Sequence, residues 1–389
     1  MTLTPLSCHD VRVPFYLRPG VYVEETEADS FKSPRLRRPY EPSRPLKPGI
    51  PAKWLAEHSV AAFIGRVSRG EHTEPAFVTS WNAYVRQFYE ENRHMPRAVQ
   101  GFFENGGTGC WIVPTDDVRE ASSMLERIED VSTVCMPDLP EDDELAHVAR
   151  MILMAHCELM GDRIALFDPP QGLSAEQVRD WRTKRGYDSK FAALYFPWLR
   201  VFDRTGLVSV PPCGHVAGAF ARSDLLRGPH RQAANLELRG VLGLELDLMK
   251  MEQDILHPWG INCVVSMASG IRVWGARTLT SEPEWRQLNR RRLMNFIGRN
   301  IVSGTSWVIF ENARDEGLLQ RIEGALDEFF GLLWRAGVLE GDTAAEAYSV
   351  RCDDAANPAE SRDANQIVAE CGITVGQAQS FFRVVYYLG

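Results

Sequence analysis

The chain has 389 residues, of which 44% are hydrophobic and 24% charged, the mixture of a globular protein and not of a disordered one. Its 52 acidic and 43 basic side chains leave a net charge of −9, which argues against a general nucleic-acid binder. No apolar run approaches the ~20 residues of a membrane helix, and Met1 to Asp10 lacks the basic stretch and apolar core of a secretory leader.

At roughly 150 residues per domain, the length predicts two or three domains. The eight cysteines, Cys8, Cys110, Cys135, Cys157, Cys213, Cys263, Cys352 and Cys371, are scattered with no CxxC pair, as expected for reduced thiols in a cytoplasmic protein.

Pro19-Gly20 marks a turn, and Val21, Tyr22 and Val23, followed by Glu24, have strand chemistry. No partner for this strand lies nearby in sequence. From Phe31 to Lys53 prolines recur at positions 34, 39, 42, 45, 48 and 51, a pattern that excludes helix and central strand and predicts an extended tether. Lys32, Arg35, Arg37, Arg38, Arg44, Lys47 and Lys53 face only Glu41 there, so the same segment also reads as a basic arm for an acidic neighbour.

Val60 to Gly65 predicts a buried strand. Ser80 is placed to cap a helix carrying Trp81, Tyr84, Val85 and Phe88, and a second helix holds Ala98, Val99, Phe102 and Phe103 before the stop Asn105-Gly106-Gly107. Cys110 to Val113 predicts a strand, Glu144 to Met160 a helix, Arg163 to Phe167 a strand stopped by Asp168-Pro169-Pro170, and Phe191 to Arg200 another strand. Strands alternating with helices indicate an α/β protein, α+β in places, with layered sheets and flanking helices.

Asn262 to Met267, Ile271 to Trp274, Ser306 to Phe310 and Ala347 to Arg351 read as further strands. Glu284 to Asn300 reads as an arginine-rich helix, and Asn312 as the cap of a helix with Leu318, Ile322, Leu326, Phe329 and Leu333 on one face. An acidic loop, Cys352 to Asp363, precedes the end of the chain. There Phe382, Val384, Tyr386 and Leu388 share one strand face, and Phe381, Val385 and Tyr387 the other. A strand apolar on both faces has to be covered on both, by its own sheet or by a neighbouring subunit.

No catalytic constellation emerges. Asn105-Gly106-Gly107-Thr108-Gly109 sits between helix and strand, the reverse of the order a dinucleotide loop needs. No serine has a GxSxG context. Cys213 and His215 lack the second compact pair of a zinc site, and on a helix the side chains of His156-Cys157 diverge. Asp116-Asp117 and Asp353-Asp354 read as solvated surface acids. Arg286, Arg290, Arg291 and Arg292 read as makers of interface or internal salt bridges. The expectation is therefore no catalytic, metal or cofactor site.

Several segments resemble the sheath protein of contractile phage tails and phage-tail-like injection particles. They are Arg18 to Glu25, Ala98 to Gly107, Phe191 to Arg200 with Pro211 to Gly218, Ile271 to Leu279 with Glu284-Trp285-Arg286 and Arg291-Arg292-Leu293, and Trp307 to Glu311 leading to Trp334-Arg335-Ala336-Gly337. They run in family order across about nine-tenths of the chain. The end departs from the family pattern, because Phe382-Arg383 is followed by the apolar Val384 to Leu388.

The resemblance implies an arm and linker over 1–56, an N-terminal α/β region over 57–275, a C-terminal α/β domain over 276–375 and a C-terminal arm strand over 376–389. It implies a homo-oligomer of stacked six-fold rings forming a helical sheath around an inner tube. Arm strands Val21, Tyr22, Val23, Glu24 and Phe382, Val384, Tyr386, Leu388 would be exchanged between subunits. Baseplate and terminator or cap proteins would be further partners, with no nucleic acid, no direct membrane insertion and no cofactor. Contraction would drive the tube through a target envelope. The particle would be assembled in the cytoplasm and then released or retained. Asp353, Asp354, Glu360 and Asp363, or the arginine helix, are the candidate tube-facing residues. Two other readings stay open at this point: an α/β enzyme with a cryptic pocket, and a baseplate or tail-terminator protein on related modules.

Overall fold

The computed structural model describes residues 19–26, 59–67, 73–88, 93–204, 206–375 and 378–389. The proline-rich segment from Phe31 to Lys53 and Cys8 lie outside the described residues. Two compact units emerge, one of residues 49–299 and one of residues 1–48 with 300–389. The described residues near the two chain ends, 19–26 and 378–389, belong to the same unit.

The larger unit is built on a nine-stranded sheet. Its central strands are β2 (Val60–Ile64), β4 (Cys110–Val113), β5 (Val131–Cys135), β6 (Ile164–Phe167), β7 (Ala192–Phe196) and β12 (Ile261–Met267), all parallel to one another. Antiparallel strands close the edges, β3 (Ala76–Val78) on one side and β13 (Gly270–Val273) with β10 (Leu236–Glu237) on the other. Parallel strands are covered on both faces, which is why β2 is buried along its whole length. Ala61 and Phe63 enter one core, and Ala62 and Ile64 the opposite one.

Helices α1 (Trp81–Phe88), α2 (His94–Glu104), α3 (Val118–Leu125), α4 (Asp143–Met160), α5 (Ala175–Arg185), α6 (Cys213–Arg227) and α7 (Lys250–Leu256) complete the layers. Asp117 and Asp142 cap α3 and α4 through their carboxylates, and Ser174 with Gln177 forms a capping box on α5. Helices α2 and α6 approach so closely that a Cβ on Gly214 would lie 2.3 Å from the Ala98 carbonyl oxygen. The stop at Asn105-Gly106-Gly107 is a helix-to-strand turn: Gly106 has φ +110° and the Gly107 N–H returns to the Phe102 carbonyl at 2.9 Å.

The run Phe191 to Arg200 is two strands and not one. A cis Phe196–Pro197 bond separates β7 from β8 (Leu199–Asp203), which joins a small sheet with β9 (Gly206–Val210) and β11 (Val241–Leu244). The arginine helix starts later than expected, as α8 (Leu288–Thr305) after a 3-10 turn at Pro283–Trp285.

In the smaller unit, Ser306–Phe310 is a 3-10 helix, although its β-branched and aromatic residues suggested a strand. Asn312 accepts from the Arg314 N–H in a turn, and α9 (Leu318–Arg335) begins at Gly317. Leu318, Ile322, Leu326, Phe330 and Leu333 form its buried face, with Phe330 in the place expected for Phe329. Short helices α10 (Ala344–Ala347) and α11 (Ala359–Asp363) flank β14 (Tyr348–Arg351). A four-stranded antiparallel sheet, ordered β1 (Gly20–Thr26), β16 (Ala378–Tyr387), β15 (Gln366–Val375) and β14, closes the unit.

Candidate subunit interface: the terminal sheet

Strand β16 lies between β15 and β1, so both of its edges are hydrogen-bonded. That placement accounts for its two apolar faces. On one face Tyr386, Val384 and Phe382 lie opposite Ile367, Ala369 and Cys371 of β15, and all six are buried. Leu388 is buried beyond the strand end, with its N–H donated to the Asn365 carbonyl at 2.9 Å. On the other face Val385 is buried, Phe381 and Tyr387 half-buried and Arg383 exposed.

Val21, Val23 and Glu25 of β1 lie opposite Tyr386, Val384 and Phe382, while Tyr22 and Glu24 lie opposite Val385 and Arg383. Tyr22 meets Tyr387 edge-on at 5.8 Å between centroids. All seven residues of β1 are half-buried, unlike the strands beneath it. The expected N- and C-terminal arm residues are thus brought together in one sheet of one chain. The sequence offered β1 no nearby partner because that partner is more than 350 positions away.

The opposite edge is held by a side chain. β14 covers β15 only from Glu370 to Ile373. Beyond it, the fully buried Asn357 carboxamide donates to the Val368 carbonyl at 2.8 Å and accepts from the Val368 N–H at 2.6 Å. The carboxamide thereby continues the ladder where backbone runs out.

One row of charges crosses all four strands. Glu24 lies opposite Arg383, Arg383 opposite Glu370, and Glu370 opposite Arg351, with Arg351 and Glu370 in direct ionic contact. The signs alternate, and each pair shares a sheet face, the arrangement that stabilises an antiparallel register. Tyr386 is enclosed enough that burial pushes its phenol above the ordinary range, beside the Thr305 hydroxyl.

The acidic loop is partly spent on its own structure. Asp353 accepts from the Ala356 N–H at 3.0 Å, Asp354 lies 3.4 Å from Arg362, and Asp363 lies 3.2 Å from Arg314. Asp354, Glu360 and Asp363 remain exposed. The arginine helix is not a free surface. Arg292 pairs with the buried Asp224, and Arg291 stacks over Phe191 at 4.4 Å and Trp285 at 4.9 Å.

Cys213 and His215 both lie buried on α6, and His156 and Cys157 on α4. Burial raises the Cys213 thiol well above its usual value and lowers the His215 imidazole to about 4, so neither is poised for nucleophilic or acid–base work at neutral pH. Among the described residues no group of three or more metal-ligating side chains forms. No helix there is long and apolar enough to cross a membrane.

This architecture, a layered α/β unit with a second unit closed by both chain ends, defines a structural class that known proteins share. Residues 115–279 match the phage tail sheath protein central domain and residues 280–388 the phage tail sheath C-terminal domain. The tail sheath protein of Burkholderia phage BcepMu is 28% identical over 237 residues, 54% of this chain and 46% of that protein. That of Vibrio phage KVP40 is 27% identical over 180 residues, 45% of this chain and 26% of that protein. The matched segments thus span less than half of these relatives. The fold is similar to the helical sheath of the anti-feeding prophage in its contracted state, with a TM-score of 0.72 at 23% identity over 90% of this chain and 97% of that one. The contracted sheath complex of the extracellular contractile injection system PVC gives 0.71 at 23% identity, over 90% and 95%. The chain belongs to the phage tail sheath protein family.

Proposed function

We propose that this chain is the sheath subunit of a contractile injection particle, stacking in six-fold rings around an inner tube and contracting to drive that tube through a target envelope. The observation that carries this reading is the terminal sheet. Its half-buried edge strand β1 is joined to the rest of the chain through a proline-rich segment, residues 27–58. A chain of that many residues can span at most roughly 100 Å, a length compatible with β1 pairing with the β16 of its own copy or of a neighbour. The sheet is identical in either case, so β1 and the C-terminal residues Phe382, Val384, Tyr386 and Leu388 can be shared between copies without new chemistry. A mesh of such strands keeps subunits connected while their bodies rotate, and two packings of one interface give a switch that needs no nucleotide.

In this reading the exposed carboxylates Asp354, Glu360 and Asp363, with Asp353, face the tube, where screened charge pairs of under ~1 kcal/mol each permit release. Baseplate and terminator proteins bound the polymer at its ends, and assembly takes place in the cytoplasm. Deleting residues 1–26 tests the proposal. The truncated chain should unfold as cooperatively as the intact one and fail to form tubes in negative-stain images with its tube partner present. Full-length tubes from the truncated chain would refute strand sharing.

A further inference from the structure

The larger unit carries a cleft of about 320 Å³ whose lining includes three arginines, Arg182 on α5, Arg277 after β13 and Arg286 before α8. In a chain with more acids than bases, none of the three reaches a carboxylate closely enough for an ion pair among the described residues. They are held by carbonyl oxygens instead: Arg182 donates to Leu279 at 2.9 Å, Arg277 to His257 at 3.4 Å and Arg286 to Ser281 at 3.2 Å. Arg182 is only 9% exposed, and its buried Nε has no hydrogen-bond partner. Asp188 is the one acid in the cleft wall, and it accepts from the Ser281 N–H at 2.8 Å. Two of three positive charges are therefore left uncompensated.

The frame that presents these groups is rigid. The buried Asn262 carboxamide clamps the Arg277 backbone, accepting from its N–H at 2.7 Å and donating to its carbonyl at 2.8 Å. Thr278 is tied to the other wall, its N–H donating to the Arg286 carbonyl at 3.0 Å and its hydroxyl to the Trp285 carbonyl at 2.8 Å. Guanidinium groups fixed in this way are preorganised for the forked bonds that oxyanions accept.

We propose that this cleft is an oxyanion site that receives an acidic side chain of a second copy of this chain. The inference rests on the sheath reading for the existence of copy-to-copy contacts. Two features favour a protein carboxylate over free phosphate. The cleft is far larger than an inorganic anion, and its wall includes Pro258 and the exposed Trp259, apolar surface suited to the methylenes of a side chain. A copy carrying a net charge of −9 supplies the complementary carboxylates.

The test uses the full chain. Arg277→Gln and Arg286→Gln should each raise the concentration needed for polymerisation at least about tenfold while leaving the thermal midpoint in place. Arg286 is exposed, so its variant stays informative if the Arg277 variant folds poorly. In parallel, Arg277→Lys and Arg286→Lys proteins, mixed in nitrogen-14 and nitrogen-15 forms, are treated with a carbodiimide that joins lysine to a carboxylate in contact. A cross-link between the two isotope forms supports the proposal and identifies the donor. Cross-links confined to one copy, or none, overturn it. So does saturable quenching of Trp259 by inorganic phosphate in variants whose polymerisation is unchanged, which would make this a free-anion site. If the unmodified chain forms no tubes yet the lysine variants link across isotope forms, the sheath reading fails and this site stands.

Discussion

Reversing one charge in the middle of the terminal sheet should loosen β1. Arg383 is flanked by Glu24 on β1 and Glu370 on β15. Opposite charges across strands contribute about 0.2–1 kcal/mol per pair, and like charges cost similar amounts. Arg383→Glu turns both pairs from attraction to repulsion, but only the Glu24 pair holds β1, so the swing on its seating is roughly 0.4–2 kcal/mol before screening. Arg383 is exposed, and at physiological salt the screening length is about 8 Å, so the lower half of that range applies. A change of ~0.5–1 kcal/mol alters the seated fraction of β1 by about 2–5-fold. Hydrogen exchange of the β1 amides reads this directly. Protection should fall by that factor at low salt and recover toward the unmodified level in 1 M salt, where the screening length is about 3 Å. Inverting the whole row, with Glu24→Arg, Arg383→Glu, Glu370→Arg and Arg351→Glu, should restore it. Protection equal to that of the unmodified chain at low salt, or no rescue by full inversion, would refute the role assigned to the row.

Three further outcomes follow from the geometry. Tyr386→Asp places a carboxylate where the side chain is 0% exposed, losing about 2 kcal/mol of burial and adding a desolvation cost of several kcal/mol; the smaller unit should melt at a clearly lower temperature before any assembly defect is scored, and an unchanged melt would contradict its burial. Asn357→Ala orphans the N–H and carbonyl of Val368, at about 1–3 kcal/mol each, so urea unfolding should shift to lower midpoint with the slope unchanged. Burial raises the Asp168 carboxyl to about 7, against the lesser opposing effects of its bond to Cys213 and of Arg150. Its folded value thus lies above the unfolded one of ~3.9, so the unfolded chain binds fewer protons between those values and stability falls as pH rises from about 4 to 7. Asp168→Asn should remove that slope in thermal melts between pH 4 and 7, and an identical slope in both proteins would rule out Asp168 as its source.

The parts of the fold legible in the sequence are those in which local chemistry and tertiary setting agree. The buried run Val60 to Ile64, the stop at Asn105-Gly106-Gly107 and the two-faced C-terminal strand all carry their own reasons. Ser306 to Phe310 misled because Trp-Val-Ile-Phe has strand chemistry but no ladder to join; Phe310 is 90% exposed at the end of a 3-10 turn. Arg290, Arg291 and Arg292 read as makers of interface or internal salt bridges, and Arg292 does pair internally with Asp224, but which residues enclose them was not legible, because Asp224 and Phe191 come from far away in sequence. The arm residues Val21 to Glu24 and Phe382 to Leu388 were visible one strand at a time. The row from Glu24 to Arg351 was not, because it exists only once four strands are in register. The cationic cleft was hidden for the same reason, its three arginines being separated by up to about a hundred positions.

Strand sharing is tested most directly by trapping β1 on the strand it pairs with. Thr26 and Phe381 lie directly opposite, at a spacing of about 4.5–5.5 Å between Cα atoms that a disulfide spans. In a Cys8→Ser background, where the seven remaining cysteines are buried, one protein carries Thr26→Cys alone and a second Phe381→Cys alone. The two are mixed, assembled with the tube protein and oxidised. The sheath account predicts a disulfide-linked pair of the two proteins that appears with tube formation and is absent from the unassembled mixture. Assembled tubes that contain no such pair, while the doubly substituted chain closes the same disulfide within itself, would show that each copy keeps its own β1 and would contradict the account.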